Sequence, residues 1–149
     1  MTQGRASEGR ASAGADFNGK IIAEFRANAG KVGGPFAGAD ILLLHHTGAR
    51  TGAQRVNPLA FLRVGESYAV FASKAGAPGN PDWYHNLLAH PRATVEVGSQ
   101  TIAVTARVAE PTERDTIYDR QKKRNPAFAQ YEDRASPRKI PVVVLDPVK

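Results

Sequence analysis

Between Ile41 and Val108 apolar runs of strand length are joined mainly by turns carrying glycine, so that one run can fold back on the next, without any repeat of sequence. Ile41-Leu42-Leu43-Leu44 is continuously apolar, the pattern of a strand buried on both faces. Thr47-Gly48-Ala49-Arg50-Thr51-Gly52 follows as a turn with two glycines that suits a hairpin. Arg55–Leu62 is the partner strand, and Pro58 marks its middle as an edge or a bulge, because proline cannot donate to a ladder. Gly65-Glu66 turns the chain into Ser67–Ser73, where Tyr68, Val70 and Ala72 alternate with Ala69, Phe71 and Ser73. Ala93–Val97, Gly98-Ser99 and Gln100–Val108 form a third hairpin, and Ile140–Leu145 is one more apolar strand. Six strands joined mainly by hairpins, with no βαβ series, predict a mainly β protein with a few helices (α+β), built on a small antiparallel barrel or strongly curved sheet.

Four helical segments interrupt that pattern. From Asn18, residues Ile21, Ile22 and Phe25 share one face while Lys20, Glu24 and Arg26 occupy the other, and Gly30 is a stop signal. That apolar face is expected to pack on the barrel, with peripheral contact to a membrane as the alternative. Asn80-Pro81-Asp82 opens a second helix, with Asn80 or Asp82 able to cap it, and Pro91 closes it. Thr112–Asn125 begins with Thr112-x-x-Asp115, close to a capping box, and Pro126–Arg134 is a shorter helical piece. Residues 1–16 are Gly, Ala, Ser and charge without an apolar period, which predicts a disordered tail ahead of a single domain over residues 17–149. Lys31–Asp40 reads as a flexible crossing.

Several function classes are excluded early. The chain has no cysteine, so thiolate nucleophiles, disulfides and iron–sulfur clusters are ruled out, and any redox chemistry belongs to a bound cofactor. His45 and His46 are adjacent on a strand and point to opposite faces, and His85 and His90 lack the i, i+4 spacing of a helical ligand pair, so no metal site is expected. Neither a dinucleotide-binding G-x-G-x-x-G nor a P-loop follows a strand. No apolar run approaches a membrane span, and the N-terminus lacks the apolar centre of a signal peptide. The expected compartment is therefore the cytoplasm, with the inner face of the cell membrane as its alternative.

The net charge of +6 is unevenly spread. From Phe17 to Pro81 there are seven basic residues against three acidic ones, a surface that concentrates anions. Arg50, Arg55 and Lys74 stand at or near turns of neighbouring hairpin strands, where two guanidinium forks and an ammonium can hold a phosphate and trailing carboxylates. Phe71–His90 adds a strand, a loop rich in glycine and proline, and a helix whose positive end favours an anion. Trp83, Tyr84 and His85 in its first turn can line a pocket for a planar ligand or pack in the core. Nucleic acid is a poor fit, since aromatics make up only 7% of the chain and no strand carries an exposed stacking pair.

Gly48-Ala49-Arg50-Thr51-Gly52, Arg55-Val56-Asn57-Pro58-Leu59, Ala72-Ser73-Lys74, Asn80–Leu87, Ala89-His90-Pro91 and Ile140–Leu145, in that order and spacing, resemble the deazaflavin-dependent nitroreductase family of actinobacteria. The resemblance runs from about Asn18 to Pro147. It implies an antiparallel split β-barrel of the FMN-binding type, and coenzyme F420, a deazaflavin whose side chain bears a phosphate and several glutamates. It implies cofactor contacts from Ala49, Arg50 and Thr51, from Arg55, Val56, Asn57, Pro58, Leu59 and Ala60, from Phe71, Ala72, Ser73 and Lys74, and from Asp82, Trp83, Tyr84, His85 and Asn86. Arg50, Arg55 and Lys74 are expected at the phosphate, and Pro58, Leu59, Ala60 and Ala72 with Trp83 around the ring.

The activity implied is hydride transfer from reduced F420 to a small acceptor, a quinone, a nitro compound or an activated double bond. Ser73 and Tyr131 are the candidate catalytic residues, and Phe128 with Tyr131 the candidate substrate pocket. Phe128 stands where nitro-reducing members carry an aromatic hydroxyl, and Leu44-His45-His46-Thr47 replaces a run of threonines; these departures leave the acceptor open among a quinone, a nitro compound and an enone, with a quinone the favoured one. A non-catalytic F420 carrier and an FMN enzyme of the same barrel are the competing readings.

Overall fold

The computed structural model describes residues 18–33 and 40–148. The expectations for the tail at 1–16 and for most of the crossing at 34–39 lie outside the described residues. A helix over residues 18–27 (α1) leads to strands Ile41–Thr47 (β1), Gln54–Val64 (β2) and Ser67–Phe71 (β3). A single 3-10 turn at Lys74–Gly76 precedes helix Asp82–Ala89 (α2), and Arg92–Val97 (β4) and Gln100–Val108 (β5) make the next hairpin. Helices Pro111–Arg124 (α3) and Ala127–Ala135 (α4) then lead to Val142–Pro147 (β6). The strands close into a barrel in the order β1-β2-β3-β6-β5-β4, every pair antiparallel.

Strand alternation divides the core into two sides of the barrel wall. Leu42, Leu44, Tyr68, Val70, Val95, Val104, Val143 and Leu145 fill the interior together with Trp83 and Leu87 of α2, which plugs one end. Outside β3 and β6, Phe71, Val142 and Val144 pack under α3 and α4 against Ile117, Tyr118 and Phe128. Outside β1, Ile41 and Leu43 meet Phe25 of α1. The run Ile41–Leu44 is thus buried on both faces, as its composition requires. The apolar side of α1 goes to the barrel, with Ile21 and Phe25 buried, and Arg26 fastens it by donating twice to the Glu96 carboxylate at 3.1 and 2.7 Å. The apolar face of α1 is thus engaged with the barrel, and no helix among the described residues is long and apolar enough to cross a membrane.

Two helix starts differ from expectation. The N-cap of α3 is Glu110 with Pro111 in the first turn, and no side chain caps it, because Asp115 accepts from Arg114 Nη1 at 2.9 Å. No side chain caps α2 either: Pro81 holds the cap position, and Asn80 Oδ1 is taken by Arg138 Nη1 at 2.6 Å.

The position of Pro58 shapes the site. β2 pairs with β1 from Gln54 to Ala60, but its register with β3 begins only at Phe61 opposite Val70. Phe61 donates to the Asp40 carbonyl, so by alternation even-numbered residues of β2 turn their backbone nitrogen away from β1. Pro58 therefore presents its missing donor to the side where β3 has already left the sheet, and half of β2 is an open edge.

Candidate functional site

The β1–β2 turn and the start of α2 enclose a cleft of about 410 Å³ lined by Gly48, Ala49, Arg50, Thr51, Arg55, Asp82, His85 and Asn86. All but Gly48 were expected in the site from the sequence. The turn is locally built: Gly48 donates to the Ala53 carbonyl at 2.8 Å, and Gly52, at φ +71°, donates back to Gly48 at 2.9 Å. This leaves Arg50 on the tip, with no hydrogen bond or ion pair among the described residues, while Arg55 lies 4.0 Å from the exposed Asp82 carboxylate. Arg50 is thus uncommitted among the described residues and Arg55 is held by one long contact to an exposed carboxylate, an arrangement whose chemistry suits an anion.

A buried polar chain holds the turn to α2. The Ala49 N–H donates to Asn86 Oδ1 at 2.9 Å, which orients the amide so that its Nδ2 faces His46 Nδ1 at 3.0 Å. His46 Nδ1 must then accept, so the ring is neutral and its Nε2–H donates to Asn57 Oδ1 at 2.7 Å. Burial pushes the His46 pKa below the usual range, in keeping with that proton arrangement. His45, its neighbour, faces the other way and meets Glu96 at 2.6 Å. The two histidines do point to opposite faces, and no group of metal-ligating side chains occurs among the described residues. The sequence marks His46 only as a non-ligand; its structural role follows from the β1–β2 register, which sets Asn57, the partner of Leu44, diagonally across from it.

The remaining predicted residues divide between edge, core and loop. Val56, Asn57, Pro58, Leu59 and Ala60 lie half-buried on the open half of β2, with Leu59 turned to the barrel interior and Ala60 to the outer face. They cannot all face one ring, since neighbours on a strand alternate. Trp83 and Ala72 belong to the barrel interior, with Tyr84 packed beside them, and Phe71 to the outer cluster. Phe128, a candidate for the substrate pocket, is 6% exposed and sits edge-on to Phe71, Tyr118 and Tyr131 with ring centroids 5.4, 6.2 and 5.1 Å away. It is a packing residue under α3 and α4. Tyr131 is half-buried, and its backbone borders the loop at Gly76, where an added Cβ would come within 3.0 Å of the Tyr131 carbonyl oxygen.

Ser73 and Lys74 sit on that loop, which has an unusual backbone. Lys74, Ala75 and Gly76 have φ of +48°, +53° and +84°, a region costly for side-chain-bearing residues. Arg134 Nη1 donates to the Ala75 carbonyl at 3.1 Å. Arg138 spends all five of its N–H groups on the segment: Nε and Nη2 on the Ala77 carbonyl, Nη2 also on Ser73, and Nη1 on the Ala72 carbonyl and Asn80 Oδ1, at 2.6 to 3.1 Å. Neither arginine carried a local sequence signal for this task.

A closed antiparallel barrel with an arginine-rimmed cleft beside a half-open strand, at the end plugged by α2, defines a split-barrel protein. The family model of the F420H(2)-dependent quinone reductases matches residues 20–147, and the chain belongs to that family. It is 39% identical over 125 residues to the F420H(2)-dependent quinone reductase Rv1261c of Mycobacterium tuberculosis, covering 81% of this chain and 83% of that one. Among solved structures, an F420-H2 dependent reductase, FDR-A, is 34% identical and superposes with a TM-score of 0.65 over 71% of this chain and 93% of its own. A second, a domain-swapped dimer, is 30% identical with a TM-score of 0.67 over 91% of this chain and 98% of its own. The family and the split-barrel fold expected from the sequence motifs are both borne out.

Proposed function

We propose that this protein transfers a hydride from reduced F420 to a quinone, holding the anionic tail of the coenzyme at the Gly48–Gly52 turn. The observation that carries the reading is a pair of guanidinium groups on a cleft next to the open edge of β2, Arg50 without a partner among the described residues and Arg55 in a 4.0 Å contact with the exposed Asp82. The fit is chemical: a phosphate followed by carboxylates suits two forks in sequence, with Lys74 as a further point charge, and Asp82 as the one carboxylate to be kept from the tail by Arg55. The β2 edge would take the planar ring, since Val56–Ala60 pair with β1 on one side and have no strand on the other, and Trp83, which closes the barrel end, would form the floor beneath it.

When bound, reduced F420 supplies the hydride, and a quinone that accepts it with one proton becomes the hydroquinone. The chain's own part is to hold donor and acceptor in register and exclude water. Ser73 and Tyr131 are the hydroxyls assigned to deliver the proton.

The test is oxidation of reduced F420 followed by absorbance, with menadione and a nitroimidazole as separate acceptors. Turnover with menadione is expected, together with about a tenfold or greater loss of F420 affinity in R50A/R55A, as expected for charge-assisted hydrogen bonds. Tight binding without oxidation by either acceptor makes the protein a carrier and overturns the enzyme assignment. Preference for FMN over F420 overturns the cofactor.

A further inference from the structure

The loop that leaves β3 combines three features. Lys74 and Ala75 hold a left-handed backbone without being glycine. The N–H groups of Ser73, Lys74 and Ala75 have no partner among the described residues, whereas those of Ala72, Gly76 and Ala77 are bonded, to Pro141, Ser73 and Lys74. The carbonyls of Ala72, Ser73 and Ala77 all converge on one guanidinium. Ser73 is right-handed at φ −77°, ψ −39°, and Lys74 left-handed, the alternation that turns successive N–H groups into one concavity suited to an anion.

We propose that Arg138 is a positioning residue that folds Ser73-Lys74-Ala75 into an anion-binding nest for the coenzyme, an inference that rests on the F420 reading above. Its five donors are all used on the loop, so it cannot itself take the ligand; its action passes through the backbone it holds. A strained turn persists only where its surroundings over-determine it, and here the determinant comes from the segment between α4 and β6. Drawing the carbonyls of Ala72 and Ser73 inward leaves the three free N–H groups and the Lys74 ammonium for an anionic group of the coenzyme. Gly76 allows the close approach this requires: a Cβ there would meet Arg134 Cβ at 2.6 Å.

Binding of oxidised F420, and of the same deazaflavin riboside without phosphate and glutamates, is measured by titration calorimetry on the full chain. R138Q is expected to weaken F420 about tenfold or more while leaving the riboside within about twofold, as loss of a charge-assisted anion site predicts. K74A/R138Q is expected to be little weaker than either single variant, because both act on one site. A75G is expected to restore part of the affinity to R138Q, since glycine adopts the turn without strain. Equal loss of both ligands, or independent effects of K74A and R138Q, overturns the proposal. Should R138Q fail to fold, N80A removes one acceptor of the clamp and is read by the same criteria.

The clamp is also read without any ligand. Amide exchange at Gly76 and Ala77 is expected to speed up in R138Q, and unchanged exchange overturns the proposal whatever binds. Failure of the wild-type protein to bind F420 would instead defeat the functional reading.

Discussion

The Gly48–Gly52 turn and the Ala72–Asn80 loop flank the uncovered half of β2, and they are held in opposite ways. The turn is supported by its own hairpin hydrogen bonds and by Asn86, a neighbour across the barrel mouth that ties Ala49 to His46. The loop has strained φ angles and is gripped by Arg134 and Arg138, which lie 58 to 66 residues further along the chain. A turn that satisfies its own backbone needs little from elsewhere, while a loop that leaves three N–H groups free has to be secured from outside. One side of the candidate site is therefore built mainly from its own hairpin, with one bond from Asn86, and the other is held by Arg134 of α4 and Arg138 of the α4–β6 connection.

The sharpest way to break this contrast is to add a methyl group to each side. Gly76→Ala forces a Cβ to within 2.6 Å of Arg134 Cβ at a φ of +84°, and is expected to cost about 3 kcal/mol of stability in denaturant unfolding. Asn86→Ala strips the Ala49 N–H and His46 Nδ1 of their partner inside a buried chain, with an expected loss of about 2 kcal/mol and weaker F420 binding.

The third prediction concerns pH. His46 is held neutral, with its pKa lowered by burial, so the unfolded chain binds its proton at higher pH than the folded one. Stability should be fully present above about 6.5 and should fall as pH drops from there toward the folded-state value. A thermal-melt series over that window is expected to show this slope in the wild-type protein and to lose it in His46→Gln. The smallest effect is Gly52→Ala, where an added Cβ meets nothing within 4 Å and only the φ of +71° penalises it, at about 1 kcal/mol. If Gly52→Ala proves as damaging as Gly76→Ala, the two sides are not built differently.

The Gly48–Gly52 motif carries its turn conformation locally, and seven of the eight residues that line the cleft are among those the family resemblance points to as cofactor contacts. The opposite facing of His45 and His46 follows from strand geometry alone. The aromatic residues were another matter. Trp83 and Phe128 are each compatible with a ring pocket or a core, and only the packing of α2 into the barrel and of α4 over β3 and β6 sent them to the core.

Sequence by itself determined the hairpin series, the two-sided burial of Ile41–Leu44 and the edge at Pro58, because period, turn chemistry and a missing donor act between near neighbours. Tertiary structure alone decided that Asn80 serves Arg138 rather than capping α2, and that Arg138 shapes the loop carrying Lys74. The physical reason is that a hydrogen bond is directional and short. Whether five donors meet their acceptors depends on how β6 and the segment before it are placed against β3, and that placement is a property of the closed barrel.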